Sequence, residues 1–216
     1  MIIGIDGPAG SGKTTVAKFL AKKLGIFYLD TGAMYRALTL KAIEKKVDLS
    51  DKETLRKLAE ELNLEFKDGK VYLDGKDVSD QIRSPLIDKS ISPLVAQPEV
   101  RAVMVKLQRT IVAKGDFVVE GRDITTVVFP DAKHKFYLDA SPEIRAKRRF
   151  KELSDKGMDV NFQELDRDLK RRDNADKTRE ISPLRLSEDA ICIDTTDLTI
   201  LQTAEEIIKH IDSGDN

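Results

Sequence analysis

The sequence predicts an α/β fold built around a central parallel sheet, and three observations carry that expectation. Short apolar runs at 2–6, 117–120 and 135–138 lack a polar face, as strands buried on both sides do. Between them lie stretches whose apolar residues recur at helical spacing. The apolar runs end in polar or glycine-rich segments, and in open α/β folds such strand ends are where ligands gather. A chain of 216 residues supplies one substantial core with smaller appendages, but not two large independent domains.

Residues 2–6 read as the first strand, 13–24 as a helix through Val16, Phe19, Leu20 and Leu24, and 26–30 as a second strand ending in Asp-Thr-Gly. Helical patterns resume at 34–45 and 51–62. The chain then changes style. Alternating segments at 64–67 and 70–73 flank Asp68-Gly69, a favoured hairpin turn, and Asp74-Gly75 leads into 76–78, giving a small antiparallel insert. Its polar faces suit a substrate-holding rim or plain surface decoration. Helices are expected at 87–95 and 98–113, the second with proline in its first turn. After the strands at 117–120 and 135–138, Pro142 opens another helix, a charged helix follows near 161–173, and a strand at 190–194 and a helix at 200–211 complete the pattern.

Thirty-seven basic residues face thirty-eight acidic ones, so no overall field calls for nucleic acid or an anionic membrane, and any anion site is local. The single cysteine, Cys192, sits in an apolar run and is expected to pack as a small buried hydrophobe. No leader pattern and no long charge-free apolar stretch is visible, and a soluble cytoplasmic protein is expected. His134 and His210 show no metal-ligand spacing and read as structural or surface residues.

The most specific signal is Gly7-Pro8-Ala9-Gly10-Ser11-Gly12-Lys13-Thr14, between the first strand and the first helix. Its glycines permit a tight loop whose amides face phosphate oxygens, Lys13 adds a mobile positive charge, and Thr14 offers an oxygen to Mg²⁺. A plain glycine turn explains neither Lys13-Thr14 at that offset nor the helical pattern that follows. Residues 7–15, including Thr15, are therefore the expected segment for binding a nucleoside triphosphate. Asp6 and Asp30 lie at strand ends; an indirect metal role through water is favoured for Asp30, although a carboxylate capping a turn has the same local sequence.

Further along, Asp30-Thr31-Gly32-Ala33-Met34-Tyr35-Arg36, Glu120-Gly121-Arg122-Asp123, Phe129-Pro130-Asp131, Leu138-Asp139-Ala140-Ser141 and the arginine-rich segment ending Arg179-Glu180-Ile181-Ser182-Pro183 resemble the bacterial cytidylate kinases, a family of P-loop nucleoside monophosphate kinases. The resemblance covers almost the whole chain. It implies a P-loop kinase fold with a central parallel sheet, an acceptor-binding antiparallel insert at 63–80 and a helical lid at 155–180. The remaining residues, 1–62, 81–154 and 181–216, would form mainly core with acceptor-site helices. The implied reaction is transfer of the ATP γ-phosphoryl group to CMP or dCMP with Mg²⁺. No nucleic-acid, membrane or protein partner is implied, and a monomer is expected.

Matched residue by residue, the resemblance places Arg36, Arg122 and Arg179 around the acceptor phosphate or the transition state, with Lys13, Arg122 and Arg179 as the catalytic set. A guanidinium suits that place because it contacts two phosphate oxygens while keeping its proton. Thr31, Arg109 and Asp123 match positions that read the pyrimidine; the family usually has serine at the first, and Thr31 keeps the hydroxyl. Ser92, Arg172 and Asp176 match positions near the acceptor ribose. A turn cap is the competing role for Asp123, and a solvated helix with internal ion pairs is the competing description of 167–179. Arg145, Arg148 and Arg149 form a basic helix face suited to the ATP side, to lid support or to solubility.

Three other functions compete. A phosphate-driven switch uses the same loop, but the chain lacks the Asn-Lys-x-Asp motif of a GTPase. A UMP/CMP or small-metabolite kinase is the enzyme alternative. RNA binding finds no support in the balanced charge.

Overall fold

The computed structural model describes residues 1–67 and 69–214. The chain divides into two compact units, Met1–Leu29 with Lys114–Asn216, and Asp30–Ala113.

The first unit is built on a five-stranded sheet of β1 (Ile2–Asp6), β2 (Phe27–Asp30), β6 (Phe117–Gly121), β7 (His134–Asp139) and β8 (Ile191–Asp194), in the order β2-β6-β1-β7-β8. The central strand β1 runs parallel to β6 on one side and to β7 on the other, with Asp6 level with Gly121 and with Tyr137. The carboxyl ends of three strands therefore share one sheet edge. Ile3, Ile5, Val118, Phe136 and Leu138 are buried from the sheet, and α1 (Lys13–Leu24) and α8 (Ile200–Gly214) add Val16, Leu20, Ala204 and Ile207 to the same core. The helices α6 (Pro142–Asp155) and α7 (Phe162–Thr178) belong to this unit. The charged helix expected near 161–173 starts one residue later, after the Asn161 cap, and runs five further, to Thr178.

Two features of this unit depart from the sequence reading. Cys192 is exposed: on β8 the side chains alternate, Ile193 turns into the core and Cys192 turns out. A π-helical turn at Ile124–Val128, which no sequence pattern announced, follows β6. Asp6 holds it, accepting from the Ile124 and Thr125 amides at 2.9 and 2.7 Å and from the Thr125 hydroxyl at 2.7 Å.

The second unit contains the helices α2 (Thr31–Glu44), α3 (Lys52–Glu60), α4 (Pro85–Val95) and α5 (Pro98–Val112) and a three-stranded antiparallel sheet of β3 (Leu64–Lys67), β4 (Lys70–Leu73) and β5 (Lys76–Asp77). The hairpin pairs Lys67 with Lys70; of its turn residues Asp68 lies outside the described residues, and Gly69 has φ of 75°. The sheet has a buried side, with Val71 and Leu73 turned in, and Lys41 on α2 bonds to the Glu61 carbonyl and to Asp74 at 3.2 and 3.0 Å. The second helix begins at Thr31 instead of 34, because Asp30 caps it by accepting from the Ala33 amide at 2.8 Å. Among the described residues no helix is long and apolar enough to cross a membrane.

Candidate active site

In the first unit, the phosphate loop between β1 and α1 is shaped by close backbone packing. At Gly7, φ is 147° and a Cβ would stand 2.0 Å from the Leu138 carbonyl oxygen; at Gly10, φ is 76° and a Cβ would stand 2.7 Å from the Arg145 carbonyl oxygen. Only glycine fits either place. Lys13 is buried, and its ammonium donates to the Pro8 carbonyl at 2.7 Å and to Ser11 Oγ at 3.4 Å. Burial, reinforced by the positive charge of Arg122, lowers its pKa to about 7, against the opposing pull of Glu120 and Asp6. Thr15 is exposed at the start of α1.

Thr14 donates its hydroxyl to Glu120 Oε2 at 3.0 Å, and Tyr28 donates to Glu120 Oε1. Glu120 is 3% exposed and is the last residue but one of β6, level with Ile5 of β1. The sequence-based expectations assign Glu120 no role. Its signal was there: a charged residue closing a strand of otherwise apolar side chains. A carboxylate next to the Thr14 hydroxyl is the hard-oxygen chemistry that Mg²⁺ takes together with substrate phosphates, so these residues fit that ion. Asp6 has a different role. Burial raises its pKa to about 6 although three hydrogen bonds oppose that shift, and all three go to the 124–128 turn.

The strand-end and α7 residues form a chain of ion pairs. Arg122 donates from Nε to Asp176 at 2.8 Å and from Nη1 to the Gly121 carbonyl at 3.3 Å. Arg179 stands 3.7 Å from Asp123 and 4.0 Å from Asp176, and donates from Nε to the Ser182 carbonyl at 2.6 Å. Burial opposes the ionised form of Asp176, but Arg122, Arg172 and Arg179 together outweigh it and hold the carboxyl below the usual range. Arg122, Asp123, Asp176 and Arg179 thus stand together, with Lys13 in electrostatic reach of Arg122 and Arg172.

Two of the three arginines of the α6 basic face brace the loop. Arg145 donates to the Ala9 carbonyl at 3.2 Å and to the Ala140 carbonyl at 3.0 Å, and pairs with Asp173 on α7. Arg148 donates to the Thr195 hydroxyl and carbonyl at 3.0 and 2.6 Å, and that hydroxyl lies 3.0 Å from the Ser11 carbonyl. Arg149 instead pairs with Glu152 along its own helix.

In the second unit, Arg36 donates to Asp88 at 2.6 Å and to the Ile82 carbonyl at 3.0 Å. The Asp30 carboxylate caps α2 with one oxygen and pairs with Arg83 at 2.9 Å with the other. Both oxygens are thus engaged by protein groups, which compete with the water-mediated metal role expected of Asp30. Arg83, immediately before the Ser-Pro that opens α4, was missed by the sequence reading because its partner lies 53 residues earlier. Thr31 is buried at the start of α2, Ser92 half-buried on α4 and Arg109 exposed on α5.

His134 is buried at the start of β7, and His210 lies 3.5 Å from Glu206. Among the described residues no group of three or more His, Cys, Asp or Glu side chains is arranged to hold a metal.

A solved structure of an uncharacterized protein from Eubacterium ventriosum superposes with a TM-score of 0.56 at 19% identity, covering 99% of each chain, and shows the same fold. A cytidylate kinase of Caldanaerobacter subterraneus subsp. tengcongensis is 49% identical over 209 residues, 97% of this chain and 93% of that protein. One from Carboxydothermus hydrogenoformans is 47% identical over 215 residues, covering 98% and 97%. A family model described as cytidylate kinase matches residues 3–213. With a phosphate loop of this geometry at the head of a parallel sheet, the chain belongs to the cytidylate kinase family, enzymes that phosphorylate a nucleoside monophosphate from ATP.

Proposed function

We propose that the chain transfers the γ-phosphoryl group of ATP to CMP and dCMP, giving CDP and dCDP, and that it works as a cytoplasmic monomer. The observation that carries this reading is the pairing of a preformed phosphate loop with buried arginine–carboxylate chemistry at the neighbouring strand end. Residues 7–15 hold the donor phosphates, with Lys13 leaving the Pro8 carbonyl for a phosphate oxygen. Thr14 and Glu120 are the residues that would hold Mg²⁺, directly or through water. When bound, that ion neutralises charge on the donor phosphates.

The acceptor phosphate needs no protein nucleophile, since its own oxygen attacks in line. Arg36, Arg122 and Arg179 orient it and offset the charge spread over the transferring group. Ser92, Arg172 and Asp176 hold the ribose, and Thr31, Arg109 and Asp123 read the base. Residues 63–80 act on the acceptor side, and 155–180 form the lid. Uracil carries a carbonyl where cytosine carries its exocyclic amine, so a carboxylate placed for the amine meets an opposed acceptor in UMP.

A coupled assay with ATP and Mg²⁺ held constant, run across CMP, dCMP, UMP, AMP and GMP, tests this directly. Both cytidine nucleotides are expected to lead. Turnover with UMP equal to or above that with both would overturn the specificity. Asp123→Ala is expected to narrow the advantage over UMP by about tenfold, since an opposed buried polar pair is worth about 1–3 kcal/mol.

A further inference from the structure

We propose that Asp173 is a positioning residue for phosphoryl transfer: from α7 it holds the Arg145 guanidinium against the Ala9 carbonyl, so that the placement of α7 and the shape of the phosphate loop are fixed together. The inference rests on the donor-site assignment above and adds to it a residue with no place in that site.

Arg145 is 7% and Asp173 8% exposed. The guanidinium joins three segments of the first unit. Its Nε reaches the Ala140 carbonyl at the head of α6, and its Nη1 serves both the Ala9 carbonyl of the loop, at 3.2 Å, and Asp173 Oδ2 on α7. The loop is pressed on the same residue from the other side, since Gly10 leaves no room for a Cβ against the Arg145 backbone. Neither loop nor Arg145 moves without the other.

Stability alone is a weak account of this pair. Buried ion pairs do little for stability relative to apolar packing, and here Asp173 Oδ1 is buried without a hydrogen-bond partner among the described residues. One Arg145 nitrogen thus serves two acceptors, Ala9 and Asp173, and the bond to Asp173 ties the loop to α7.

The same helix carries the groups assigned to the acceptor. Arg172 precedes Asp173, and Asp176, one turn on, grips Arg122 at 2.8 Å. Two carboxylates on one face of α7 therefore hold one arginine against the donor loop and another at the strand end. Loss of the first grip leaves donor and acceptor groups bound but misaligned, which lowers kcat more than affinity.

The test compares full-length wild type, D173N, R145K and the double variant. Expected for D173N is a fall in kcat of about tenfold at saturating ATP and CMP, the effect of weakening one charge-assisted hydrogen bond, with the ATP dissociation constant, measured by calorimetry without acceptor, within about twofold. R145K, which keeps the charge but cannot span both acceptors, is expected to behave alike and carries the test if D173N does not fold. The double variant is expected to be no worse than the weaker single. Wild-type kcat in folded variants with only a lowered melting temperature would overturn the proposal, as would a parallel loss of kcat and ATP affinity. The donor-site assignment is read separately on wild type: absence of ATP-dependent amide protection at 7–15 would overturn it and this inference together.

Discussion

In the proposed donor site, Lys13 is a buried cation whose surroundings act on its charge. With the pKa lowered to about 7 by burial, the side chain is largely neutral at about pH 8 and charged at about pH 6. In the proposed function, donor phosphates restore the charge by pairing with it. ATP binding is therefore expected to draw a proton from solution at about pH 8 and much less at about pH 6, read by calorimetry in buffers of differing ionisation enthalpy. Equal proton exchange at both pH values would contradict that placement. Lys13→Ala is expected to remove the uptake and to lower turnover by at least 100-fold while leaving ATP bound, since loop amides still face the phosphates. At the neighbouring strand end, Arg122→Ala and Arg179→Ala are both expected to impair CMP use in acceptor titrations. Arg179 should have the larger effect on single-turnover rate, because it stands at the end of α7 and not on the sheet.

At the scale of elements, the turn at Ile124–Val128 hangs from one carboxylate. Asp6→Ala strands two amides and a hydroxyl in a buried place and is expected to destabilise the chain by about 3 kcal/mol in urea unfolding at neutral pH. The carboxyl also gives stability a pH slope. Its folded pKa of about 6 lies above the ordinary 3.8, so between those values the folded chain holds a proton that the unfolded chain has released. Its contribution is fully present below about pH 3.8 and fades as pH rises through 6; Asp6→Ala should flatten that component of the pH profile. This turn also marks the limit of what the sequence disclosed. Strands, helices and the phosphate loop were legible because periodicity and glycine spacing are local. The partners of Asp6, Glu120 and Arg145 were not, since Thr125, Thr14 and Ala9 lie 119, 106 and 136 residues away. At Asp30, where a local pattern allowed two outcomes, the structure shows the cap, with an amide three residues on within reach. Alternation on β8 overrode the apolar surroundings of Cys192 in the same way.

At the scale of the whole molecule, the two compact units separate the expected responses to the two substrates. Every residue of the donor loop belongs to the unit of Met1–Leu29 and Lys114–Asn216. A donor analogue alone is expected to slow hydrogen exchange chiefly there, along β1, the loop and α6. Adding CMP should extend protection into residues 30–113, where Thr31, Arg36, Ser92 and Arg109 reside. Protection of 30–113 by the donor analogue alone, equal to that given by CMP, would argue against the division of roles. The strand order has a further consequence, for synthesis. The central strand β1 is the first to leave the ribosome, yet both of its neighbours, β6 and β7, lie beyond residue 116. Between its emergence and theirs the Ile2, Ile3 and Ile5 strand has no edge to pair with, and the whole 30–113 segment is made in the interval. Completion of the sheet thus waits on contacts of long sequence separation, which fold slowly and leave an apolar strand open to wrong partners. A nascent chain whose emerged part stops before residue 117 is accordingly expected to bind holdase chaperones through Ile2–Asp6, and one whose emerged part reaches past 139 to release them.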